Sequence, residues 1–320
     1  MRFGTTRAGV PVDRIDIAAG DLTVGILTWG AVVHDVRLAG IDRSLTLGSD
    51  HLADYEGVLR HHGALIGPIA GRISNARVKI DGMMYELERN QDGRVHLHSG
   101  REATHLRTWV PVDRAEDAVT LRCDLADGDC GLPGNRSVTV TYRVTAPAVL
   151  TMEVTATTDA TTVMNFANHS YWNLDGSETW SGHALQVHAD TYLPADADGS
   201  PTGEIAPVAG SALDFRAPRV LHAATDRFNH NLCLSDSPQP LRDVATLQGA
   251  SGVAVTLATT CPGLQIFDNS AGARPGRGYF EGVALEAQHW PDAPNNPKFP
   301  SMRVQPGTPY RQTTRWTIAA

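Results

Sequence analysis

Apolar and polar residues alternate with a period of two along most of this 320-residue chain. Two runs, 137–144 and 150–157, show the pattern most clearly. In the first of them, every second residue is apolar: Val138, Val140, Tyr142 and Val144. Successive side chains of a β-strand point to opposite faces, so each run predicts a strand with one buried face.

Similar runs recur near residues 12–18, 22–28, 32–38, 76–88, 106–112, 118–125, 183–188, 252–259, 263–268, 282–288 and 310–318. Gly, Pro, Asp and Asn separate them, as expected for turns between antiparallel strands. Only 50–59 and, more weakly, 241–248 have helix-like spacing. No strand–helix repeat occurs. The sequence therefore predicts an all-β fold, a large antiparallel β-sandwich that forms a single domain over residues 1–320.

Composition and charge narrow the class of function. With 42% hydrophobic and 19% charged residues, the chain can bury a sizeable core. Its net charge of −8 argues against a surface for nucleic acid or anionic membranes. The N-terminus has no apolar signal region and no run is long enough to span a membrane. The four cysteines lack CxxC spacing, which predicts reduced thiols and a cytoplasmic location. No protein partner is implied.

Two segments carry candidate chemistry. Residues 165–174 place His169 among amides, hydroxyls and two aromatic side chains at the end of a strand-like run. Aromatic faces and amides are the groups that bind sugars, and a histidine can transfer a proton near neutral pH. Glu286 stands alone in the apolar run 283–287. Burial there predicts either a raised pKa, which suits a general base, or a structural ion pair with an arginine such as Arg72.

Strand periodicity predicts which polar side chains share a face. Glu286 should share one with Ala284 and Gln288, His98 with His96, and His169 with Asn165. Such faces would line a groove. The alternative is the solvent-exposed polar face that most antiparallel strands have.

The whole set of motifs resembles the aldose 1-epimerase (galactose mutarotase) family. Six short motifs follow in order: 71–73 (GRI), 97–100 (LHSG), 168–174 (NHSYWNL), 228–231 (FNHN), 262–265 (PGLQ) and 285–293 (LEAQHWPDA). Each is weak alone, and the combination is specific. The resemblance implies a galactose mutarotase-like supersandwich, an enzyme that interconverts the anomers of a free aldose, and no cofactor or metal.

Roles for individual residues follow from that resemblance. It implies Glu286 as the base and His169 as the acid of ring opening, with His96 as a supporting residue or second-choice acid. Substrate-binding residues would be Arg72, His98, Gln265 and Asn229. Asn229 stands where the family normally has an aspartate, which leaves the identity of the sugar open and admits an anionic aldose.

Other interpretations compete with this one. His96-x-His98 followed by Glu102 resembles part of a cupin metal site, but the motif is incomplete. His61 and His62 are a still weaker candidate for a metal site, because adjacent residues on a strand face opposite sides. A glycoside hydrolase would need a second carboxylate, for which Asp175, Asp190 and Asp214 are candidates. A sugar-phosphate epimerase would use Arg274 and Arg277, and a non-catalytic sugar-binding protein would need neither acid nor base.

Overall fold

The computed structural model describes all 320 residues, and strands dominate it. The first half of the chain contains thirteen strands and one short helix. In chain order these elements are β1 (Arg2–Thr5), β2 (Pro11–Ala19), β3 (Leu22–Leu27), β4 (Val32–Leu38), α1 (Leu52–Tyr55), β5 (Leu65–Ile66), β6 (Arg72–Ile73), β7 (Arg77–Ile80), β8 (Met83–Glu86), β9 (His96–Leu97), β10 (Val110–Arg114), β11 (Ala118–Leu125), β12 (Arg136–Thr145) and β13 (Val149–Thr158).

The second half of the chain contains only strands and a single 3-10 turn. The strands are β14 (Thr162–Val163), β15 (Ala167–Asn168), β16 (Tyr171–Trp172), β17 (Ala184–Val187), β18 (Thr191–Tyr192), β19 (Ala206–Pro207), β20 (Arg219–Val220), β21 (Asn229–Cys233), β22 (Arg242–Gln248), β23 (Ala254–Thr259), β24 (Gly263–Phe267), β25 (Val283–Gln288), β26 (Arg303–Val304) and β27 (Tyr310–Ala319). The 3-10 turns of the whole chain are Ser74–Ala76, Gly100–Glu102, Thr104–Leu106, Asp129–Gly131 and Ala293–Asn295.

Two large antiparallel sheets organise the molecule. Nine strands form the first sheet in the order β10-β11-β12-β13-β27-β23-β22-β17-β20, and six form the second in the order β16-β25-β24-β21-β18-β19. Strands β1 to β4 make a four-stranded sheet. The other pairs, β14–β26, β15–β5, β6–β9 and β7–β8, are two-stranded ladders. The predicted all-β, antiparallel architecture is confirmed.

The core lies where the large sheets meet. Its main cluster contains 56 buried residues and joins Val140 and Tyr142 of β12 to Leu264 of β24 and Leu285 of β25. Val140 pairs with Val154 of β13, and both are buried. The alternating residues of each long strand therefore pack inward as their period of two predicts, and burial of this apolar surface stabilises the sandwich.

The two helix predictions agree poorly with the structure. Within 50–59 only Leu52–Tyr55 is helical, and turns follow. The prediction for 241–248 is wrong, because these residues form β22. The register of β22 shifts between Asp243 and Ala245. This bulge buries Val244 and Ala245 in succession, so the strand loses its alternation and its apolar residues acquire a helix-like spacing.

Two further features bear on the cell-biological predictions. No helix of the chain is long and apolar enough to cross a membrane. All four cysteines are buried free thiols, and burial raises the pKa of Cys130 to about 12.

Candidate active site

A single cavity of about 660 Å³ collects the predicted site residues. Six of them line it: Arg72, His98, His169, Asn229, Gln265 and Glu286. They come from separate parts of the chain, and the six-stranded sheet forms the cavity floor. His96, the seventh predicted residue, does not line the cavity.

Neighbouring strands of the six-stranded sheet present the floor residues. Glu286 on β25 pairs with Gln265 on β24, which pairs in turn with Asn231 on β21. Directly paired residues share a sheet face. Gln288, two residues beyond Glu286, lines the same cavity, while Leu285 and Ala287 on either side of Glu286 belong to the main core. The predicted division of β25 into a core face and a polar face is confirmed.

Glu286 is a buried carboxyl group without a charged partner. It is 2% exposed, and its Oε2 atom has no hydrogen-bond partner. Burial raises the pKa of Glu286 to about 8, although the nearby Arg72 guanidinium acts in the opposite direction. Arg72 forms no ion pair with it; instead, Nε of Arg72 donates to Oε1 of Gln91 at 2.9 Å. The alternative prediction, a structural Arg72–Glu286 ion pair, is therefore wrong.

His169 lies beside that carboxyl group. Its Nε2 atom is 3.5 Å from Oε1 of Glu286, and its Nδ1 atom has no hydrogen-bond partner. The ring is 3% exposed, and burial lowers the pKa of His169 to about 4. Near pH 7 the imidazole is thus neutral and the carboxyl group is protonated, so the pair carries one proton more than its fully deprotonated form.

The two histidines of 96–98 do not share a face. Strand β9 ends at Leu97, and His98 adopts a left-handed conformation with φ of 53°. This change of direction places His98 in the cavity. His96 is fully buried, and its Nδ1 atom contacts the carbonyl oxygen of Glu88 at 2.8 Å. The prediction of a shared face is wrong, because two residues are too few for strand periodicity to persist.

A hydrogen bond determines the tautomer of His98. The backbone N–H of Gly71 donates to its Nδ1 atom at 3.1 Å. Burial lowers the pKa of His98 well below its usual value, so the ring is neutral and its proton is on Nε2. His98 therefore offers an N–H donor to a bound molecule.

An amide pair sits on the neighbouring wall. Nε2 of Gln265 donates to Oδ1 of Asn229 at 2.8 Å. The side-chain oxygen of Asn229 thus already accepts one hydrogen bond, and its NH₂ group is a donor that can face a ligand. Asn165, predicted to share a face with His169, is instead fully buried and bonds to the backbones of Ala70 and His289.

Sequence reasoning missed several lining residues. His61 and His62 both line the cavity, because they lie in a turn rather than on a strand. His62 packs on Tyr171 with ring centroids 4.2 Å apart. Phe267 also lines the cavity. An aromatic neighbour of Gln265 was visible in the sequence, whereas nothing in it indicated which way the 61–62 turn would face.

The same histidines raise the question of a metal. The ligand atoms of His61, His98 and His169 lie within 4.8 Å of one another. A histidine that binds a metal normally donates its other N–H to an acceptor. His98 does the reverse, since its Nδ1 accepts from Gly71 and its Nε2 carries the proton. The residues present do not fit a resident metal ion.

Activity is therefore expected to survive exhaustive chelation. The hydrogen bond from Gly71 keeps a proton on the nitrogen that a metal would need. The measurement is the rate of the anomer interconversion that the resemblance implies, before and after EDTA dialysis, together with metal analysis of the protein. A stoichiometric transition metal whose removal abolishes turnover would contradict this expectation.

Residues proposed for other chemistries lie outside the cavity. Arg274 and Arg277 both form ion pairs with Glu281, so they supply no phosphate pocket there. Among the candidate second carboxylates, Asp175 accepts hydrogen bonds from the backbone of 250–251, and Asp214 pairs with Arg216. Asp190 is exposed. None of the three lines the cavity.

Comparisons with known proteins show which proteins this chain resembles. The galactose mutarotase of Homo sapiens is 33% identical over 96% of this chain and 94% of that protein. The aldose 1-epimerase of Escherichia coli K12 is 32% identical over 93% of this chain and 92% of its own length. Among solved structures, an aldose epimerase homologue from C. elegans superposes with a TM-score of 0.90 at 27% identity, covering 96% of this chain and 99% of that one. The aldose 1-epimerase family model matches residues 13–317, and the chain belongs to the aldose 1-epimerase family.

Proposed function

We propose that this protein interconverts the α and β anomers of a free aldose, with Glu286 and His169 as its acid–base pair. One observation supports the proposal above the others. A carboxyl group whose Oε2 has no hydrogen-bond partner and an imidazole whose Nδ1 has none face each other in one cavity, with Nε2 and Oε1 3.5 Å apart. A binding protein needs donors and acceptors for hydroxyl groups, but it gains nothing from two proton-transfer groups that cost stability to bury.

The reaction proceeds by ring opening. The Glu286 carboxylate removes the proton of the anomeric hydroxyl while the His169 imidazolium donates one to the ring oxygen. The C1–O5 bond breaks, and C1 becomes an aldehyde carbon. Rotation about C1–C2 presents the other carbonyl face. Reclosure reverses both proton transfers. His169 takes the proton back from O5 and Glu286 returns its proton to O1, so no net proton is consumed.

Burial increases the reactivity of both groups. A raised pKa makes the Glu286 carboxylate a stronger base, and a lowered pKa makes the His169 imidazolium a stronger acid. Between these two pKa values the shared proton rests on Glu286. The reactive form has the proton on His169, and it contains the same number of protons as the resting form. Moving that proton therefore requires no exchange with solvent.

The pH dependence follows from this proton count. The active enzyme holds one proton on the pair, which is its state between the lowered pKa of His169, about 4, and the raised pKa of Glu286, about 8. Below this window both groups are protonated and no base remains; above it both are deprotonated and no acid remains. We expect kcat/KM to be bell-shaped and to fall about tenfold per pH unit outside the window. A kcat/KM profile with a single inflection near pH 6.5, the usual pKa of histidine, would contradict this expectation.

The remaining lining residues would hold the sugar. Arg72, His98 and the Asn229 NH₂ group offer donors to hydroxyl groups, and the side-chain amide of Gln288 has neither polar atom paired. Aromatic contacts would come from Tyr171 and Phe267, whose rings lie 6.2 Å apart in the cavity. We propose a small aldose as the only partner, and the buried free thiols suit a reducing cytoplasm.

Asn229 is expected to set the charge preference of the site. An aspartate would accept charge-assisted hydrogen bonds from sugar hydroxyls, each worth about 1.5–3 kcal/mol. A hydrogen bond between neutral groups is worth about 1 kcal/mol. Asn229 presents a neutral amide instead, whose oxygen already accepts from Gln265 and whose NH₂ group is a donor. Asn229→Asp should raise kcat/KM for a neutral hexose and lower it for a uronic acid. An unchanged ratio of the two kcat/KM values would show that this position does not control substrate charge.

Exchange NMR tests the proposed reaction directly. Single anomers of neutral, acidic and phosphorylated aldoses are dissolved freshly, and their approach to equilibrium is followed with and without the protein. Catalysis of any free aldose supports the proposal. Tight binding of these sugars without acceleration would indicate a sugar-binding protein instead. Activity on phosphorylated sugars alone is not expected, because Arg274 and Arg277 are bound to Glu281.

A further inference from the structure

The imidazole of His169 lacks the hydrogen bond that usually orients a catalytic histidine. Such a ring is normally held by a partner on its second nitrogen. Here Nδ1 of His169 is buried and has no partner, and Nε2 faces the Glu286 carboxyl group at 3.5 Å. The orientation of this ring must come from another source.

Aromatic rings surround His169. The ring of His61 stacks on it with centroids 5.6 Å apart and an interplanar angle of 21°. Tyr171 lies 5.0 Å away at 37°. The edges of His98 and Phe267 approach at 5.6 Å and 6.4 Å. His61 is the most nearly parallel of these rings, and it is the one for which the proposed reaction has no use.

The backbone fixes His61 in this place. The N–H of Gly63 donates to the carbonyl of His169 at 3.0 Å, and the N–H of His169 donates to the carbonyl of Ala64 at 3.0 Å. Gly63 has φ of 69°, and a Cβ atom there would lie 2.2 Å from the carbonyl oxygen of Val33. The two hydrogen bonds tie the 61–62 turn to His169, and the close approach to Val33, which only glycine allows, fixes the backbone of that turn.

We propose that His61 is a positioning residue, whose ring holds the His169 imidazole in its catalytic orientation by stacking rather than by proton transfer. His61 also contacts His98 and His105 edge-on, with centroids 5.0 Å and 5.1 Å away, so it cannot move without displacing its neighbours. This inference rests on the proposed function for its kinetic consequence, but the ring geometry is independent of it.

Two substitutions separate stacking from chemistry. His61→Ala removes the ring, and His61→Phe keeps a flat ring but removes both nitrogens. A displacement of about 1 Å at a catalytic group can cost up to about 10²-fold in rate, so we expect His61→Ala to lower kcat about tenfold with KM within about twofold of the parent. His61→Phe should retain kcat within about threefold, since it preserves the aromatic contact. His188 is exposed, so His188→Ala serves as the control. We expect it to have parental kinetics.

NMR of histidine ring nitrogens provides a readout that does not require turnover. The His169 signals should be single and sharp in the parent and in His61→Phe, and broadened or doubled in His61→Ala. If His61→Ala does not fold, His61→Leu replaces it, because leucine fills the space without a flat ring. These signals test the inference even if the protein proves inactive on every aldose.

Three results would overturn the inference. Equal losses of kcat in His61→Phe and His61→Ala would assign the role to the ring nitrogens. A rise in KM with unchanged kcat would make His61 a sugar contact. Parental kinetics and sharp His169 signals in His61→Ala would show that the other rings suffice.

Discussion

His169→Ala and Glu286→Gln should each slow anomer interconversion by at least about 10²-fold, the usual contribution of a positioned acid or base. Each substitution leaves one of the two proton transfers to water. The only other carboxylate in the cavity, Glu56, accepts a hydrogen bond from the backbone of Arg7 at 2.9 Å. The loss should appear in kcat, because both groups act on atoms whose bonds change.

The measurement is exchange NMR at saturating sugar, with circular dichroism to show that each variant is folded. His188→Ala serves as a surface control. The double variant should be little slower than either single variant, because an acid and a base that act together are not additive. Near-parental rates in both single variants would rule out the proposed roles.

The β-architecture could be predicted because the strands are long enough for the apolar–polar alternation to repeat. Strand β12 has ten residues and β13 has ten, so each strand repeats the alternation several times and one irregular residue does not mask it. A short strand gives no such redundancy. In β22 one bulge beside Val244 made seven strand residues resemble a helix. Turn and bulge geometry depends on tertiary hydrogen bonds that local sequence does not encode.

The same difference in length separates the parts of the site that could be predicted from those that could not. Glu286 and Gln288 lie on a six-residue strand, and periodicity assigned both to the polar face that lines the cavity. His96 and His98 belong to a strand of two residues that ends before His98, and there the rule failed.

Turns were the least predictable part. The direction of His61 depends on the backbone bonds between residues 63–64 and His169, which are more than 100 positions apart in the sequence. Arg274 and Arg277 looked available to a ligand in the sequence, yet the structure pairs them with Glu281. In each case the orientation of a side chain depends on a contact with another residue, and the spacing of residue types in the sequence does not show that contact.

Glu286→Gln is also expected to stabilise the fold, by an amount that grows with pH. The pKa of Glu286 is about 8 in the folded protein, above its ordinary value of 4.5. Between these values the folded state binds one more proton than the unfolded state, so stability falls as pH rises. The difference of about 3.5 units corresponds to at most about 5 kcal/mol. Glutamine has a similar shape and does not ionise, so it avoids this loss.

Urea unfolding of the parent and of Glu286→Gln at intervals from pH 5 to pH 9 measures the effect. The two proteins should be nearly equal at pH 5, and the variant should be more stable by several kcal/mol at pH 9. Glu281 provides a matched contrast, because it is equally buried but its arginine partners lower its pKa. Glu281→Gln should therefore destabilise the fold at pH 7. If the difference in the free energy of unfolding between the parent and Glu286→Gln stays constant with pH, burial does not hold the carboxyl group protonated. The fall of kcat/KM at high pH would then need another cause.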